Sequence, residues 1–282
     1  MSPGFERIGI AGVGLLGASL GLALKKRGLA RCVVGAGRRR ETLETALRLG
    51  AIDEIADAPA DLASGTELVV LAAPAAAVPP LMDALRGTDA VVTDVASTKG
   101  LICAHAAATW PAPRRFVGGH PMAGSENAGP EHGRADLYEG AVCLLEDGSG
   151  LDPAAVGTVR ALWEAVGMRV VPIAPDLHDA LLARTSHLPH VAAAALAALA
   201  GAAPLTRDVV GRGFLDTTRI AGGPPEVWRD ICLTNREALL ESLAEYGRRL
   251  DGFLQLLQDG DAEGLERFFA EGRAARRGVT GE

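Results

Sequence analysis

The sequence predicts an α/β fold in which a doubly wound parallel sheet is followed by an all-helical domain. Short apolar runs alternate with helix-like segments over roughly the first 170 residues, the pattern of a parallel sheet with helices on both faces. A glycine-rich turn joins the first strand to the first helix. After Asp176 the strand-like runs stop, and segments rich in alanine and leucine continue as helices.

Each predicted element rests on its apolar pattern. Seven short apolar runs predict strands at residues 7–12, 31–36, 67–73, 90–95, 114–119, 141–146 and 168–173. The segments between them predict five helices: Leu15–Arg27, Glu41–Leu49, Ala75–Arg86, Leu101–Ala108 and Pro153–Val166. Pro172 and Pro175 mark the end of this region, so we predict one domain over residues 1–174 and a second over 175–282.

The composition is that of a globular protein without a nucleic-acid or membrane partner. Of 282 residues, 48% are hydrophobic and 22% are charged, and the net charge of −7 disfavours binding to nucleic acid. No apolar stretch is long enough for a membrane span, and no signal peptide is recognised. The four cysteines lie far apart, which favours free thiols in a cytoplasmic protein over a disulfide or zinc framework.

The last long helical segment carries a narrow apolar seam. Its members recur at alternating spacings of four and three residues: Leu239, Leu243, Tyr246, Leu250, Phe253 and Leu257. Such a seam fits either a contact within one helical bundle or an interface between subunits. We expect a homodimer through the helical domain, to which the apolar segment 191–199 also contributes.

The turn after the first strand has the spacing of a dinucleotide-binding motif. Gly12, Gly14 and Gly17 stand in G-x-G-x-x-G order, and Leu15 and Leu16 open the helix. The first glycine permits a tight turn, the second lets a pyrophosphate approach the backbone, and the third allows close helix–strand packing. The free N–H groups of the helix start attract phosphate. These features predict a Rossmann-type domain, and a glycine-rich turn without a ligand is the alternative.

The end of the second predicted strand lacks the acidic residue that NAD-binding domains place about 20 residues further on to hold the ribose. At that position stands Gly37, followed by Arg38, Arg39 and Arg40. Without a carboxylate a 2′-phosphate is not repelled, and guanidinium groups can hydrogen-bond to it. We therefore predict NADP as the cofactor, bound in part by Arg38 and Arg39. NAD stays open, and a solvated basic turn is the alternative.

A histidine in the stretch GGHPMAGSENAG is the first candidate for chemistry. His120 follows a predicted strand, and the carboxyl ends of parallel strands face the bound ligand. The preceding strand brings Ser97 and Lys99 to the same edge. A histidine beside a nicotinamide fits a general base that takes a hydroxyl proton as hydride leaves the same carbon. A buried loop histidine is the alternative, and Lys99 fits a phosphate or substrate contact or a solvated position equally well.

Six stretches together carry a resemblance to a known family. They are GVGLLGASL, DVASTK, GGHPMAGSE, SHLPH, FLDTTRIAGGPPEVWRDI and LTNREAL, which occur in this order. In this combination they resemble the prephenate/arogenate dehydrogenases of tyrosine biosynthesis. The stretches around His120 and Arg219 are specific to that family, whereas the glycine motif alone is not.

The resemblance implies an oxidative decarboxylation. The substrate carries a hydroxyl and a carboxylate at opposite corners of a cyclohexadiene ring; hydride passes to NAD(P)+, the carboxylate leaves as CO2, and the ring becomes aromatic. By the resemblance, His120 is the base, and Ser97 orients it and the nicotinamide. The implied substrate-binding residues are Arg219 on the ring carboxylate, Asp216 supporting Arg219, His187 near the side chain, and Ser125 and Glu126 at the pocket border.

Several of these side chains also have purely structural interpretations. Arg219 could form only a salt bridge with Asp216 or Asp230. His187 and His190 have the spacing of a metal pair, but no third ligand lies nearby, so we predict no metal and a capping or structural role for His190. Three more histidines are interpreted as surface or structural: His105, His132 and His178.

Two other functions compete with this interpretation. Hydroxyacid and imine reductases share the architecture but rely on a lysine in the helical domain, and no lysine follows Asp176. A non-catalytic NADP-binding protein would need neither His120 nor Arg219. The sequence leaves open whether the substrate is prephenate, arogenate or an amino-substituted prephenate. We expect a stand-alone dehydrogenase in which any inhibition by tyrosine acts at the active site.

Overall fold

A six-stranded parallel sheet forms the centre of the first part of the chain. The computed structural model describes residues 4–125, 127–202 and 209–281. The strands of this sheet are β1 (Phe5–Ala11), β2 (Ala30–Ala36), β3 (Glu54–Ile55), β4 (Leu68–Leu71), β5 (Val91–Asp94) and β6 (Phe116–Val117). Their spatial order is β3-β2-β1-β4-β5-β6, the order of a dinucleotide-binding Rossmann sheet. The predicted fold class is therefore confirmed, although the two-residue strand β3 was not predicted.

Helices connect these strands. They are α1 (Leu15–Lys26), α2 (Arg40–Arg48), α3 (Val78–Leu85), α4 (Gly100–Thr109) and α5 (Pro153–Ala165). All five correspond to predicted helices with small shifts at their ends; the helix predicted at 75–86 begins as a 3-10 turn over Ala75–Ala77. Alternate residues of β4 belong to two different core clusters, Leu68 and Val70 to one and Val69 and Leu71 to the other. Both faces of the sheet are thus buried, which explains why its strands read as continuous apolar runs.

The remaining strands form a separate, three-stranded sheet. Strand β7 (Gly119–Pro121) pairs antiparallel with β8 (Val142–Glu146), which pairs parallel with β9 (Arg169–Ile173). The single strand predicted at 114–119 is therefore wrong: the chain leaves the first sheet after Val117 and enters the second at Gly119. The backbone of Gly118 bonds to Glu146 instead, through its N–H to the carboxylate (2.9 Å) and its carbonyl to the backbone N–H (2.8 Å).

The helical part begins directly after β9. It contains α6 (Pro175–Leu182), a π-turn (Ala183–His187), α7 (Leu188–Gly201), α8 (Arg212–Thr218), a 3-10 turn (Arg219–Gly222), α9 (Pro225–Thr234), α10 (Arg236–Asp259) and α11 (Ala262–Thr280). The chain divides into two compact units, residues 1–236 and residues 237–282. The domain boundary at 174/175 stays a prediction. Within the described ranges, no helix has the length and apolarity that crossing a bilayer requires.

Candidate active site

The glycine motif forms the turn between β1 and α1. Gly12 has φ +96°, and a Cβ there would lie 2.3 Å from the carbonyl oxygen of Ala72. A Cβ on Gly17 would lie 2.1 Å from the carbonyl oxygen of Gly12, whereas a Cβ on Gly14 would meet nothing within 4 Å. The turn and the helix packing therefore require glycine at Gly12 and Gly17. Gly14 leaves open space where α1 begins.

This turn fits a dinucleotide. Gly14 is the N-cap of α1 and has no side chain to satisfy the first N–H groups, which stay available to a phosphate. Leu15, the first helical residue, borders a cavity of about 620 Å³ that Met122 and Ser125 also line. The carbonyl oxygen of Leu16 accepts a hydrogen bond from the buried Tyr138 hydroxyl (2.7 Å), which fixes the start of the helix.

The turn after β2 is basic and exposed. Gly37, Arg38 and Arg39 are all exposed, and across the described parts of the chain neither arginine forms an ion pair. Arg40 pairs with Glu44 one helical turn further on (3.1 Å). Two guanidinium groups are thus available at the position where the ribose of a dinucleotide is held in this fold.

His120 is buried on β7, immediately beyond the carboxyl end of β6. The stretch around it thus contributes a short strand. His120 is 7% exposed, and its Nδ1 lies 2.8 Å from Nε2 of His178. Burial, with smaller contributions from His178, Lys99 and His187, holds the pKa of His120 well below its usual 6.5. The imidazole is therefore uncharged at neutral pH.

His178 links His120 to a carboxylate. It is fully buried, and its Nδ1 donates to Oδ1 of Asp179 (2.7 Å). Asp179 also accepts hydrogen bonds from the backbone N–H groups of Lys99 (2.7 Å) and Gly100 (2.8 Å) at the start of α4. Burial alone would raise the pKa of Asp179, but these hydrogen bonds lower it below its usual value. We call His120, His178 and Asp179 the histidine chain. Of the surface and structural interpretations of His178, the surface one is wrong.

Ser97 and Lys99 occupy the loop between β5 and α4. Ser97 is half-buried and follows the carboxyl end of β5, as predicted from its position in the sequence. Lys99 is 1% exposed, and its Nζ contacts the buried carboxylate of Asp94. Asp94 also accepts from the backbone N–H of Gly119 (3.1 Å), next to His120. A solvated Lys99 is therefore wrong, and its ammonium is occupied by an internal ion pair.

His187 lies in the π-turn and is fully buried. Its Nδ1 accepts from the side-chain amide of Asn235 (3.0 Å), which also donates to the carbonyl oxygen of Asp179 (2.8 Å). Burial lowers the pKa of His187 to about 4, so Nε2 carries the proton of a neutral ring. No described residue accepts a hydrogen bond from this Nε2. Helical π-turns frequently occur at functional sites.

A second group of side chains lies near the start of α7. His190 stacks on Trp228 with ring centroids 3.4 Å apart, and its Nδ1 donates to the carbonyl oxygen of Ser186 (3.0 Å). Burial and, to a smaller extent, the charge of Arg219 lower the pKa of His190. The 3-10 turn that begins at Arg219 packs against α7. We call His190, Trp228 and Arg219 the arginine surface.

The predicted partners of Arg219 do not pair with it. Arg219 is exposed, and in the part of the chain that the structure describes it forms no ion pair. Asp216 is also exposed and does not support Arg219 as the resemblance implied, and Asp230 pairs with Arg229 instead (2.7 Å). The salt-bridge alternative for Arg219 is therefore wrong, and its guanidinium is available to a ligand.

The remaining predicted positions differ in what can be said of them. Ser125 is exposed at the 620 Å³ cavity, where its Oγ accepts from the backbone N–H of Asn127 (3.2 Å). Glu126 lies outside the described residues. Among the described side chains, no group of three His, Cys, Asp or Glu residues could hold a metal ion.

Sequence reasoning missed His178, Asp179 and Asn235. One signal for the first two existed: a His-Asp dipeptide directly after the last strand, at the start of a helix. Asn235 lies in the stretch LTNREAL, but its role could not be predicted from it, because that role depends on contacts with residues about 50 positions earlier in the chain.

Two sequence families match the chain. Residues 20–172 match "Prephenate dehydrogenase, nucleotide-binding domain", and residues 174–271 match "Prephenate dehydrogenase, dimerization domain". A prephenate dehydrogenase of Bacillus subtilis (strain 168) is 33% identical over 282 residues, which cover 97% of this chain and 76% of the relative.

Solved structures agree with the sequence matches. A prephenate dehydrogenase from A. aeolicus, in complex with hydroxyphenyl propionate and NAD+, has a TM-score of 0.91 and 31% identity, covering 99% of this chain and all of the other. An arogenate dehydrogenase from Synechocystis has a TM-score of 0.79 and 30% identity, covering 97% of this chain and 99% of the other.

Proposed function

The chain belongs to the prephenate dehydrogenase family, and we propose that its active site around His120 and Arg219 oxidises a cyclohexadienol acid. The substrate is prephenate or arogenate, and a bound NAD(P)+ supplies the hydride acceptor. The hydroxyl-bearing carbon loses hydride, the ring carboxylate departs as CO2, and its bonding electrons make the ring aromatic. The observation that carries this proposal is a buried, uncharged imidazole at His120.

His120 takes the hydroxyl proton. A neutral imidazole with a low pKa is present in the accepting form throughout the neutral range, which a base requires. Its position beyond β6 puts it at the sheet edge where ligands of this fold bind. Ser97, at the end of the neighbouring strand β5, orients His120 and the nicotinamide.

Arg219 binds the ring carboxylate. Its guanidinium is exposed and free of ion pairs among the described residues, and its planar donors match the two oxygens of a carboxylate. We assign Asp216, Ser125 and Glu126 to substrate binding on the resemblance of their motifs. The buried Nε2–H of His187 offers an uncharged donor to the substrate side chain.

The cofactor is NADP rather than NAD. Gly12, Gly14 and Gly17 with Leu15 and Leu16 hold the pyrophosphate, and the open space at Gly14 supports this placement. Beyond β2, the exposed Arg38 and Arg39 replace the usual carboxylate and fit a 2′-phosphate.

The active form is a cytoplasmic homodimer. Seam residues Leu250 and Leu257 are 47% and 56% exposed in the single chain, so they have apolar surface left to bury against a second copy. The family description of residues 174–271 as a dimerization domain supports the same assembly. All four cysteines are free thiols, which suits the cytoplasm. A monomer by light scattering at micromolar concentration would contradict the dimer.

The function is tested by direct turnover. Purified protein is mixed with prephenate or arogenate and with NADP+ or NAD+, and the absorbance of the reduced cofactor is followed. We expect reduction of NADP+ with release of CO2 and an aromatic product, and the ratio of turnover on the two substrates identifies the preferred side chain. Absence of cofactor reduction with both substrates, from a protein that binds NADP+, would refute the proposal.

A further inference from the structure

We propose that His178 and Asp179 are positioning residues that fix the tautomer of His120, so that its Nδ1 carries the proton and its Nε2 is free to accept one. The inference rests on the proposed role of His120 as the base. By this inference the Asp179 carboxylate, acting through His178, determines which ring nitrogen of His120 can react.

The chain of hydrogen bonds has one fixed end. Asp179 is ionised, because hydrogen bonds from His178 and from the backbone N–H groups of Lys99 and Gly100 stabilise its charged form. An ionised carboxylate only accepts hydrogen bonds, so Nδ1 of His178 must donate across the 2.7 Å contact.

That assignment determines the next one. In the proposed arrangement His178 carries a proton on Nδ1 alone, which leaves a lone pair on its Nε2, and this Nε2 lies 2.8 Å from Nδ1 of His120. Nδ1 of His120 must therefore donate. Because the buried His120 is also neutral, its Nε2 is left with a lone pair. This is the nitrogen that a base needs.

Asp179 is held in place independently of the histidines. Its Oδ1 accepts from the Lys99 N–H (2.7 Å) and its Oδ2 from the Gly100 N–H (2.8 Å), at the start of α4. The positive end of the helix dipole favours the charge there. The carboxylate is thus fixed by the same loop that carries Ser97. It holds the His178 ring within hydrogen-bonding distance of His120 on β7.

The arrangement can also move the positive charge that proton uptake creates on His120 to His178. Among the described residues, the charged and titratable groups facing His120 are His178, Lys99 and His187, and each of them disfavours a positive charge on the His120 ring. When Nε2 takes the substrate proton, the Nδ1 proton can move to Nε2 of His178. One N–H bond of His120 forms and one breaks, and the positive charge then rests on the ring that contacts Asp179.

The test is Asp179→Asn. An asparagine amide can donate to Nδ1 of His178, which would put the His178 proton on Nε2 and force His120 to carry its own proton on Nε2. We expect kcat to fall by about 10²–10⁴-fold, with KM and the Kd for NADP+ changed less than threefold. In ¹⁵N spectra of the imidazoles, we expect His120 to be protonated on Nδ1 in the unmodified protein and on Nε2 in the variant.

The matched control is Asp152→Asn. Asp152 caps α5 by accepting from the N–H of Ala154 (2.9 Å), so this variant makes the same chemical change at a helix start outside the histidine chain. Its kcat and its His120 tautomer should match those of the unmodified protein. An unchanged kcat in a folded Asp179→Asn protein would overturn the inference.

A second pair of variants covers the case in which Asp179→Asn does not fold. In His178→Gln the amide oxygen can still accept from Nδ1 of His120, whereas His178→Leu has no acceptor. We expect the Gln variant to keep at least ten times more turnover than the Leu variant, and equal turnover would overturn the inference.

The ¹⁵N spectra separate this inference from the proposed function. They are recorded without substrate, so they report the tautomer whatever the reaction is. If His120→Asn abolishes turnover but the unmodified His120 is protonated on Nε2, only the inference fails. If His120→Asn leaves turnover intact, the proposed function fails whatever the tautomer.

Discussion

The histidine chain and the arginine surface differ in whether their side chains find bonding partners within the protein. His120, His178 and Asp179 are all less than 10% exposed, and they bond to one another and to backbone groups of the same chain. Arg219 is exposed and has no carboxylate partner among the described residues. The proposed base is thus held in place by contacts within the protein, whereas the proposed anchor for the substrate has no charged partner among the described residues.

This difference separates two kinds of contribution to the reaction. A preorganised group needs no rearrangement during the chemical step, so its loss lowers kcat. A free guanidinium gains its partner only when the substrate binds, so its loss raises KM. Variants of the two groups should therefore change different kinetic constants, and the predictions below rank those changes by size.

The largest expected effect is that of His120→Asn. Asparagine keeps a polar side chain at a buried position but cannot take a proton at neutral pH. We expect kcat to fall by about 10²–10⁴-fold, the usual contribution of a general base, with KM little changed. Steady-state kinetics with saturating NADP+ measure both constants. A kcat within a factor of three of the unmodified enzyme would remove His120 from the chemistry.

Arg219→Ala comes next. Where the bound substrate shields the pair from water, loss of the guanidinium should weaken substrate binding by about 2–5 kcal/mol, seen as a raised KM. The KM of Arg219→Lys should lie between those of the unmodified enzyme and Arg219→Ala, because lysine keeps the charge but not the planar pair of donors. The control is Arg229→Ala, which removes a neighbouring exposed arginine that pairs with Asp230. Loss of NADP+ binding with an intact KM would place Arg219 outside the substrate pocket.

The same contrast explains how much the sequence could predict. The glycine turn was predictable because its spacing is local: the positive φ at Gly12 and the close approach of Gly17 to the carbonyl oxygen of Gly12 both arise within six residues. The histidine chain was not, because His120 and His178 are 58 residues apart and their contact depends on the tertiary fold. The resemblance identified His120 but not its supporting residues.

The predicted sheet failed at one place for a related reason. The run at 114–119 looks like one strand, yet the Glu146 carboxylate binds the N–H of Gly118 and interrupts it. A hydrogen bond across 28 residues decided the strand boundary, and nothing in the local apolar pattern records it. That break is what places His120 on β7.

A smaller effect is expected at the cofactor turn. Gly37→Asp combined with Arg38→Ala restores a carboxylate and removes one guanidinium. A Cβ at Gly37 would meet Leu43 at 3.5 Å, an ordinary contact, so the fold should tolerate the change. Losing one charge-assisted hydrogen bond of about 1.5–3 kcal/mol should shift the NADP+/NAD+ ratio of kcat/KM by about 10–100-fold toward NAD+. A clear NAD+ preference in the unmodified enzyme would refute the prediction.

The smallest effect concerns the stability of the buried histidines as the pH falls. Burial lowers the pKa of His187 from 6.5 to about 4, against a smaller opposing effect of Asp179. Between these values the unfolded chain binds a proton at this position and the folded chain does not, so acid favours unfolding. The contribution is absent above pH 7.5 and reaches about 1–1.5 kcal/mol at pH 5.5.

His187→Asn should remove this contribution while keeping an acceptor for the amide of Asn235. We therefore expect the apparent Tm of the unmodified protein to fall more steeply from pH 7.5 to 5.5 than that of the variant, by about 2–5 °C for a chain of this size. The exposed His132→Asn is the matched control and should keep the steeper fall. Parallel pH profiles for His187→Asn and the unmodified protein would mean that His187 takes up its proton in the folded state. In its protonation His187 would then resemble a solvent-accessible group of the arginine surface rather than the buried His120.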